Sequence, residues 1–283
     1  MNGWCHMVAS SIMKVLGVQT RLGMLGLLRT WKSFLIQIST DVVINVSAVS
    51  GALIIGSRFG GIGNWGPNQI LFLVCYTLAI NVFVSALFSQ NFASLSRRIG
   101  RGQMDHALLT PRSLPFQLLY EGFNPLGQPL MLPFAIISFF VSAIRVVGMP
   151  SILWWICAAI SVFSSVAIVM AFQVAVGAAA FWDPYAGEEV SSAANRLTLG
   201  LASYPMDGVT GVFYLAVIHV IPIASVAWQP VSGLIRGSPS WVLLSAPATA
   251  VVATFIACVV FMKGMKRYER VGAIRYSSSG FRR

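Results

Sequence analysis

Charged residues, and acids above all, are what this chain has least of. Only 8 Asp and Glu stand among its 283 residues, and charged residues of both signs make up 10%, where a water-soluble domain carries about 25%. That is too little charge to coat a soluble sphere of this size, so the soluble classes are excluded before any motif is read. The four cysteines, Cys5, Cys75, Cys157 and Cys258, show no CxxC or Cys/His spacing, which leaves a disulfide framework or zinc site without support. Three of them lie inside apolar runs, where cysteine packs as a small apolar side chain. No GxxxxGK[ST] occurs, and Gly60-Gly61-Ile62-Gly63 lacks both the strand and the lysine of a phosphate-binding loop. Acids, bases and nucleophiles are nowhere gathered as an active site needs. No catalytic residue, no metal site and no cofactor are therefore expected on this chain. Met1–Val18 lacks the charged start, apolar core and small-residue cleavage site of a secretory signal.

Apolar residues fill the space that charge leaves. They make up 57% of the chain, and the mean hydropathy is +0.77. About 20 apolar residues are needed for a helix to cross ~30 Å of hydrocarbon. Phe34–Gly56, Gln69–Asn91, Pro125–Ile144, Ser151–Phe181 and Trp241–Met262 meet that length, and Ser151–Phe181 exceeds it, so it tilts or projects. For a further crossing there are two candidates. Val209–Val231 is the more apolar, but Pro222 interrupts it and Pro205 and Pro230 bracket it, which favours a broken or re-entrant element. Glu188–Tyr204 is more polar yet repeats Val190, Ala193, Ala194, Leu197 and Leu201 at helical spacing. Hydropathy alone favours the later segment.

Net charge is +11, and the positions of the cations explain it. Lys14, Arg21, Arg29 and Lys32 precede the first run; Arg97, Arg98, Arg101 and Arg112 lie between the second and third. Lys263, Lys266, Arg267, Arg270, Arg275, Arg282 and Arg283 follow the last. Fifteen of the 19 cations thus fall on one side, with Arg58, Arg145 and Arg236 opposite and Arg196 in the ambiguous stretch. These cations are not interleaved with stacking aromatics, so they mark membrane topology and not nucleic acid. The positive-inside rule makes both termini cytoplasmic, and six crossings fit. The expected fold is an all-α integral membrane protein. Residues 1–33 form a tail and an interfacial helix (Leu22, Leu25 and Leu28 beside Arg21, Arg29 and Lys32), 34–262 the transmembrane domain, and 263–283 a basic tail.

Few ionisable groups lie inside the apolar runs. Asp41 is a functional hypothesis by its position, but a depth of about two turns favours snorkelling or pairing near the interface. His219 has no carboxylate near it in sequence, and His6 and His106 are isolated. Asp183, Glu188 and Glu189 gather where a helix begins, and capping against the helix dipole explains them better than metal binding does.

The loop 92–119 stands apart. Leu95 and Ile99, then Met104, Ala107 and Leu108, draw an apolar stripe at helical spacing among Arg97, Arg98 and Arg101. Gly100 and Gly102 break it into two short helices, and Thr110-Pro111 stops the second. Such a stripe serves equally as a positive-inside loop on lipid headgroups or as a docking helix for a soluble partner.

The run Ile99-Gly100-Arg101-Gly102-Gln103-Met104-Asp105, continuing to Leu108-Leu109-Thr110-Pro111, resembles the loop of type-2 ABC exporter permeases. The resemblance goes on through Phe181-Trp182, Tyr204-Pro205, Ile221-Pro222, Trp228-Gln229-Pro230 and Arg236-Gly237 in family order, from about Gly17 to Lys263. Met104 stands where the family usually has Leu. The nearest branch is encoded beside an ATPase and often a second, distinct permease.

The resemblance implies six crossings with Glu188–Tyr204 as the fifth, a coupling helix over about Leu95–Leu109, and an outer re-entrant pair over 205–239. It implies a partner ATP-binding subunit that carries ATP and Mg, a second paralogous permease, surrounding membrane lipids, and a bacterial cytoplasmic membrane. On the ATPase, Arg97, Arg98 and Arg101 would hold acidic rims, Leu95, Ile99, Met104 and Leu108 would fill a groove, and Asp105 belongs to the same contact. Asn195, Arg196 and Thr198 become candidates for the substrate path, and Tyr204, Pro205, Pro222 and Pro230 for the outer gate. Walls that are apolar with scattered Ser, Asn and Gln suit a lipid-like or amphipathic cargo. The rival class is an ATP-independent secondary transporter or channel, which would want paired intramembrane ions or matched inverted repeats. One broken region is found and no matched half.

Overall fold

A computed structural model describes residues 17, 18, 21, 25, 29, 31–59, 64–88, 95–109, 114, 117, 118, 131–206, 223–235 and 241–272. These residues form helices and no strand. Among the described residues six long helices build the body: α1 (Trp31–Phe59) and α2 (Pro67–Phe88), then, after the short α3 (Leu95–Gly100) and α4 (Gln103–Leu108), α5 (Met131–Val147), α6 (Ile152–Gly177), α7 (Pro184–Leu201) and, after the short α8 (Gln229–Ile235), α9 (Trp241–Val271). Among the described residues three stretches are long and apolar enough to cross a membrane: Pro67–Ala86, Ile152–Phe181 and Leu244–Val271. Ile38–Gly51 and Met131–Val147 are shorter apolar helical stretches.

The helix ends follow local chemistry. Pro67 opens α2 at a position whose N–H would have no intrahelical partner. Gln69 Oε1 reaches back to accept from the Gly66 N–H at 3.0 Å, half of a capping box. Ser151 caps α6 by accepting from the Trp154 N–H at 3.3 Å, and Gly148, at φ +84°, makes the turn from α5. Below α6 a 3-10 turn, Ala178–Phe181, leads into α7. Ala224–Trp228 is a π turn, where the Gln229 N–H reaches five residues back to Ala224 O. Pro230 explains it, because a proline cannot donate to the regular i→i−4 ladder.

α2 is apolar on every side and is accordingly enclosed. Phe72, Leu73, Tyr76 and Ile80 are fully buried in it. Phe72 and Tyr76 meet Phe139 of α5, with ring centroids 5.6 and 6.0 Å apart, and Phe72 also meets Trp154 of α6 at 6.2 Å. Ala202, Met206 and Ile223–Ala227 join the same core. α1 packs on a second cluster between α2 and α5: Val42 and Val49 lie on Leu78, Ala79, Val82, Met131 and Ala135. Leu35, Ile36, Val43, Ile44 and Ile54 of α1 are exposed. Cys75 is buried as expected of a packed apolar side chain, but Cys258 is exposed on α9.

Most polar side chains described in this apolar setting have hydrogen-bond partners, as a low-dielectric interior favours; the buried Ser96 Oγ is an exception. Ser39, Thr40 and Ser164 donate to their own helix four residues back, at 2.8, 2.9 and 2.8 Å. Tyr76 Oη pairs with Ser165 Oγ at 2.9 Å, and Trp154 Nε1 donates to Leu234 O at 3.0 Å. The second bond holds α8 to the start of α6. Trp154→Phe leaves the buried Leu234 carbonyl without its donor, an expected cost of about 1–3 kcal/mol. Tyr76→Phe costs less, about 1 kcal/mol or below, because Ser165 still donates to Ser161 O at 2.8 Å. Thermal unfolding of both variants in one detergent checks the order; equal losses would mean the Trp154 bond is not structural.

The basic segment after Met262 begins as helix: α9 continues to Val271 and ends at Gly272, φ +75°, whose N–H donates to Tyr268 O at 2.8 Å. A left-handed glycine is the usual helix terminator, and hydropathy does not register it. Residues 273–283, with Arg275, Arg282 and Arg283, lie outside the described residues.

Candidate coupling site

Residues 95–109 of the loop between α2 and α5 fold as their spacing predicts, into two short helices. Gly102 at φ +72° makes the break between them, a backbone conformation that other residues reach only with strain. α3 lies against the end of the bundle where α6 turns into α7; that end is called the base here.

The apolar stripe of the loop is spent inside the chain. Leu95, Ile99 and Met104 are 0%, 1% and 1% exposed. With Leu114 and Leu118 they pack on Ala178, Ala180 and Phe181 of the 3-10 turn and on Phe261 and Tyr268 of α9. The resemblance assigned this stripe to a groove on another subunit; within the chain it is already covered. A side chain already out of solvent in its own fold has no surface left to offer, so Leu95, Ile99 and Met104 anchor the loop. Of the stripe's described side chains, Leu108 stays exposed, beside Leu109 at 82%.

The cations point the other way. Arg97 and Arg101 are exposed, and Arg98 is half-buried. Asp105 does not join them as a free acid: Tyr268 Oη donates to Asp105 Oδ1 at 2.7 Å. The loop thus presents two exposed arginines, Gln103, His106 and Leu108–Leu109, an outward surface that is basic around a small apolar tip. A surface of this kind accepts an acidic rim with an apolar notch.

Close backbone approaches make the base dense. A Cβ on Gly187 of α7 would stand 2.8 Å from Ala180 Cα, and one on Gly264 of α9 would stand 2.5 Å from Phe181 Cδ2. Phe181 is held between Phe261 and Tyr268, with centroids 5.4 and 6.0 Å away. Sequence reasoning missed Tyr268, Phe181 and Gly264 as parts of this site. The signal was present: Phe261 and Tyr268 are seven residues apart and share one helix face.

The other candidates are scattered. On α7 Arg196 is exposed, whereas Thr198 is turned into the fold, its Oγ1 bonded to Ala194 O at 2.8 Å. Thr198 and Arg196, two positions apart, thus face different sides of α7, as the 3.6-residue helical period sets. The side chain of Asn195 lies outside the described residues, as does Pro222. Tyr204 is exposed, Pro205 half-buried and Pro230 buried in α8. Beside Pro230, Gln229 Oε1 accepts from Ser225 at 2.9 Å and from Ser245 of α9 at 3.1 Å, a polar node that the sequence did not single out. No group of three or more His, Cys, Asp or Glu that could hold a metal occurs among the described residues.

Residues 42–272 match the family model of ABC-2 family transporter proteins. The chain belongs to the ABC-2 transporter family. No curated protein and no solved structure matches it. Membership makes this ABC-2 protein a membrane transport subunit of the permease kind, and the family associates in general with an ATP-binding subunit. The matched region contains the whole base, including α3, α4 and the end of α9. The resemblance seen in the loop and proline series is thereby shown at the level of the family.

Proposed function

We propose that this chain is the transmembrane subunit of an ATP-driven ABC exporter, coupled to a separate ATP-binding subunit through the loop at 95–109. The observation that carries the reading is the loop's two-sided build: an apolar face locked into the base and a basic face left outside. A lever needs both. It must be rigidly joined to the helices it moves, because packed elements switch between discrete arrangements and do not deform smoothly. It must also present an unfilled surface to the subunit that drives it.

In this reading α1, α2, α5, α6, α7 and α9 are the six crossings, the termini are cytoplasmic, and 205–239 is the outer re-entrant element. ATP and Mg bind on the partner, and this chain hydrolyses nothing. A second, distinct permease completes the path in a bacterial cytoplasmic membrane. Arg196, exposed on a helix of mixed polarity, supports a hydrated path along α7, since lipid is a costly neighbour for an arginine. A cavity of about 400 Å³ between α2, α5 and α6, walled by Ala79, Phe83, Phe139, Phe140, Trp155 and Phe163 among other apolar residues, supports a cargo with a hydrocarbon part.

The test is a tagged pull-down in mild detergent. An ATP-binding subunit is expected to come with the wild-type chain and to be lost when Arg97, Arg98 and Arg101 are changed to Glu. A chain that purifies alone and moves solute in liposomes without ATP would overturn the reading in favour of a secondary transporter.

A further inference from the structure

We propose that Tyr268 is a positioning residue for coupling: its hydroxyl holds Asp105, so that the loop at 95–109 and the base end of α9 move as one body. This rests on the coupling reading above and adds a second output for it. A loop packed only against the α6–α7 turn would pass its motion to those helices. A loop bonded to α9 passes it also to the last helix of the chain.

Three observations converge on Tyr268. The bond to Asp105 is short, 2.7 Å, and joins residues 163 apart in sequence. A hydroxyl donating to a carboxylate is among the stronger neutral–ionic hydrogen bonds. Tyr268 is itself only 4% exposed, and its ring packs with Leu95, Ile99, Met104 and Phe181, so the hydroxyl cannot swing away from the loop. Finally, α9 runs without a described break from Trp241 to Val271, with Pro247 near the far end. It forms the broadest helix–helix contact of the described residues, along α6. A displacement at Tyr268 is therefore delivered along one continuous helix into the centre of the bundle. Gly264, four residues before, lets α9 approach Phe181 closely enough for the ring and the hydroxyl to reach their places.

Packing alone does not account for the hydroxyl. Phenylalanine would fill the same space, but it would leave the α4 carboxylate without this donor and the rotation of α4 against α9 without a directional bond. The distinction is what the experiment reads.

Spin labels are placed in pairs on the complete permease–ATPase complex in nanodiscs, on a background with Cys5, Cys75, Cys157 and Cys258 replaced by Ser. One pair joins Gln103 to Arg270, both exposed, and reports loop against α9. The other joins Gln103 to Met149, exposed at the α5–α6 turn, and reports loop against the far end. Distances are measured by electron–electron double resonance without nucleotide and after trapping with ATP and vanadate. The Gln103–Met149 distance is expected to change while Gln103–Arg270 stays fixed. Tyr268→Phe is expected to make Gln103–Arg270 vary with nucleotide while the ATPase still co-purifies. Asp105→Asn, which keeps an acceptor oxygen, is expected to hold that distance fixed, and Asp105→Leu to release it. A wild-type Gln103–Arg270 distance that shifts as much as Gln103–Met149, or a Tyr268→Phe complex in which it stays fixed, would overturn the proposal. No change at either pair with the ATPase bound would overturn the coupling reading, and the proposal with it.

Discussion

Ile99→Asp is expected to free the loop at 95–109 from the base and to cost the protein several kcal/mol, on the order set by burying an unpaired charge. Ile99 is 1% exposed and sits among Leu95, Met104, Phe181 and Tyr268. Removing such a side chain costs about 2–5 kcal/mol through lost burial and the space left behind. A carboxylate placed there adds the penalty of an uncompensated buried charge, on the order of several kcal/mol. Ile99→Val is the control and should lose only about 0.5–1.5 kcal/mol. Thermal unfolding in detergent and protease sensitivity of the loop measure both. If Ile99→Asp melts within about 2 °C of wild type, a shift worth under ~1 kcal/mol for a chain of this size, the loop is not anchored through Ile99.

The second large effect is expected at Gly187. A side chain there meets backbone: its Cβ would lie 2.8 Å from Ala180 Cα and 3.0 Å from Ala180 N. Backbone cannot yield as the end of a flexible side chain can, so even Ala has to push α7 off the 3-10 turn. Overpacking of this kind costs about 1–3 kcal/mol for a few added carbons. Gly187→Leu should exceed that range and disturb the base, with a fall in both melting temperature and ATPase association. Gly200, on the same helix, has nothing within 4 Å of a Cβ. Gly200→Ala should therefore be neutral, or stabilising by up to ~1 kcal/mol from helix propensity. Equal effects at the two glycines would mean the close approach of α7 to Ala180 does not exist in the folded protein.

The two predictions differ in how legible their positions were. Ile99 stood out in the sequence because Leu95 and Ile99 are four apart among arginines, which marks a face that something must cover. Gly187 did not stand out at all. A glycine in a helical segment lowers helix propensity by ~1 kcal/mol whatever its reason, and only the position of Ala180, seven residues back across a turn, supplies the reason here. Thr198 shows the same limit on α7. It shares the segment with Arg196, but two positions along a helix is over half a turn, so one faces out and the other in. Pro230 was read from sequence as a gate element and lies buried in α8, where its missing N–H produces the π turn before it.

Composition by itself was enough for the membrane class, because 10% charge cannot cover a soluble surface. Run lengths located the long apolar helices, because hydrocarbon thickness imposes a length that apolar residues must fill, but not the end of α9, which continues to Val271. The glycines at 100 and 102 predicted the split of the loop, since their backbone freedom is a local property. Which surface covers the loop's apolar stripe was decided only by the tertiary structure. A stripe of Leu, Ile and Met is equally satisfied by a partner's groove or by Phe181, Phe261 and Tyr268, because burial of apolar area is non-directional. Periodicity says that a face will be buried; the choice between surfaces of the same chemistry depends on which one the folded chain brings within reach.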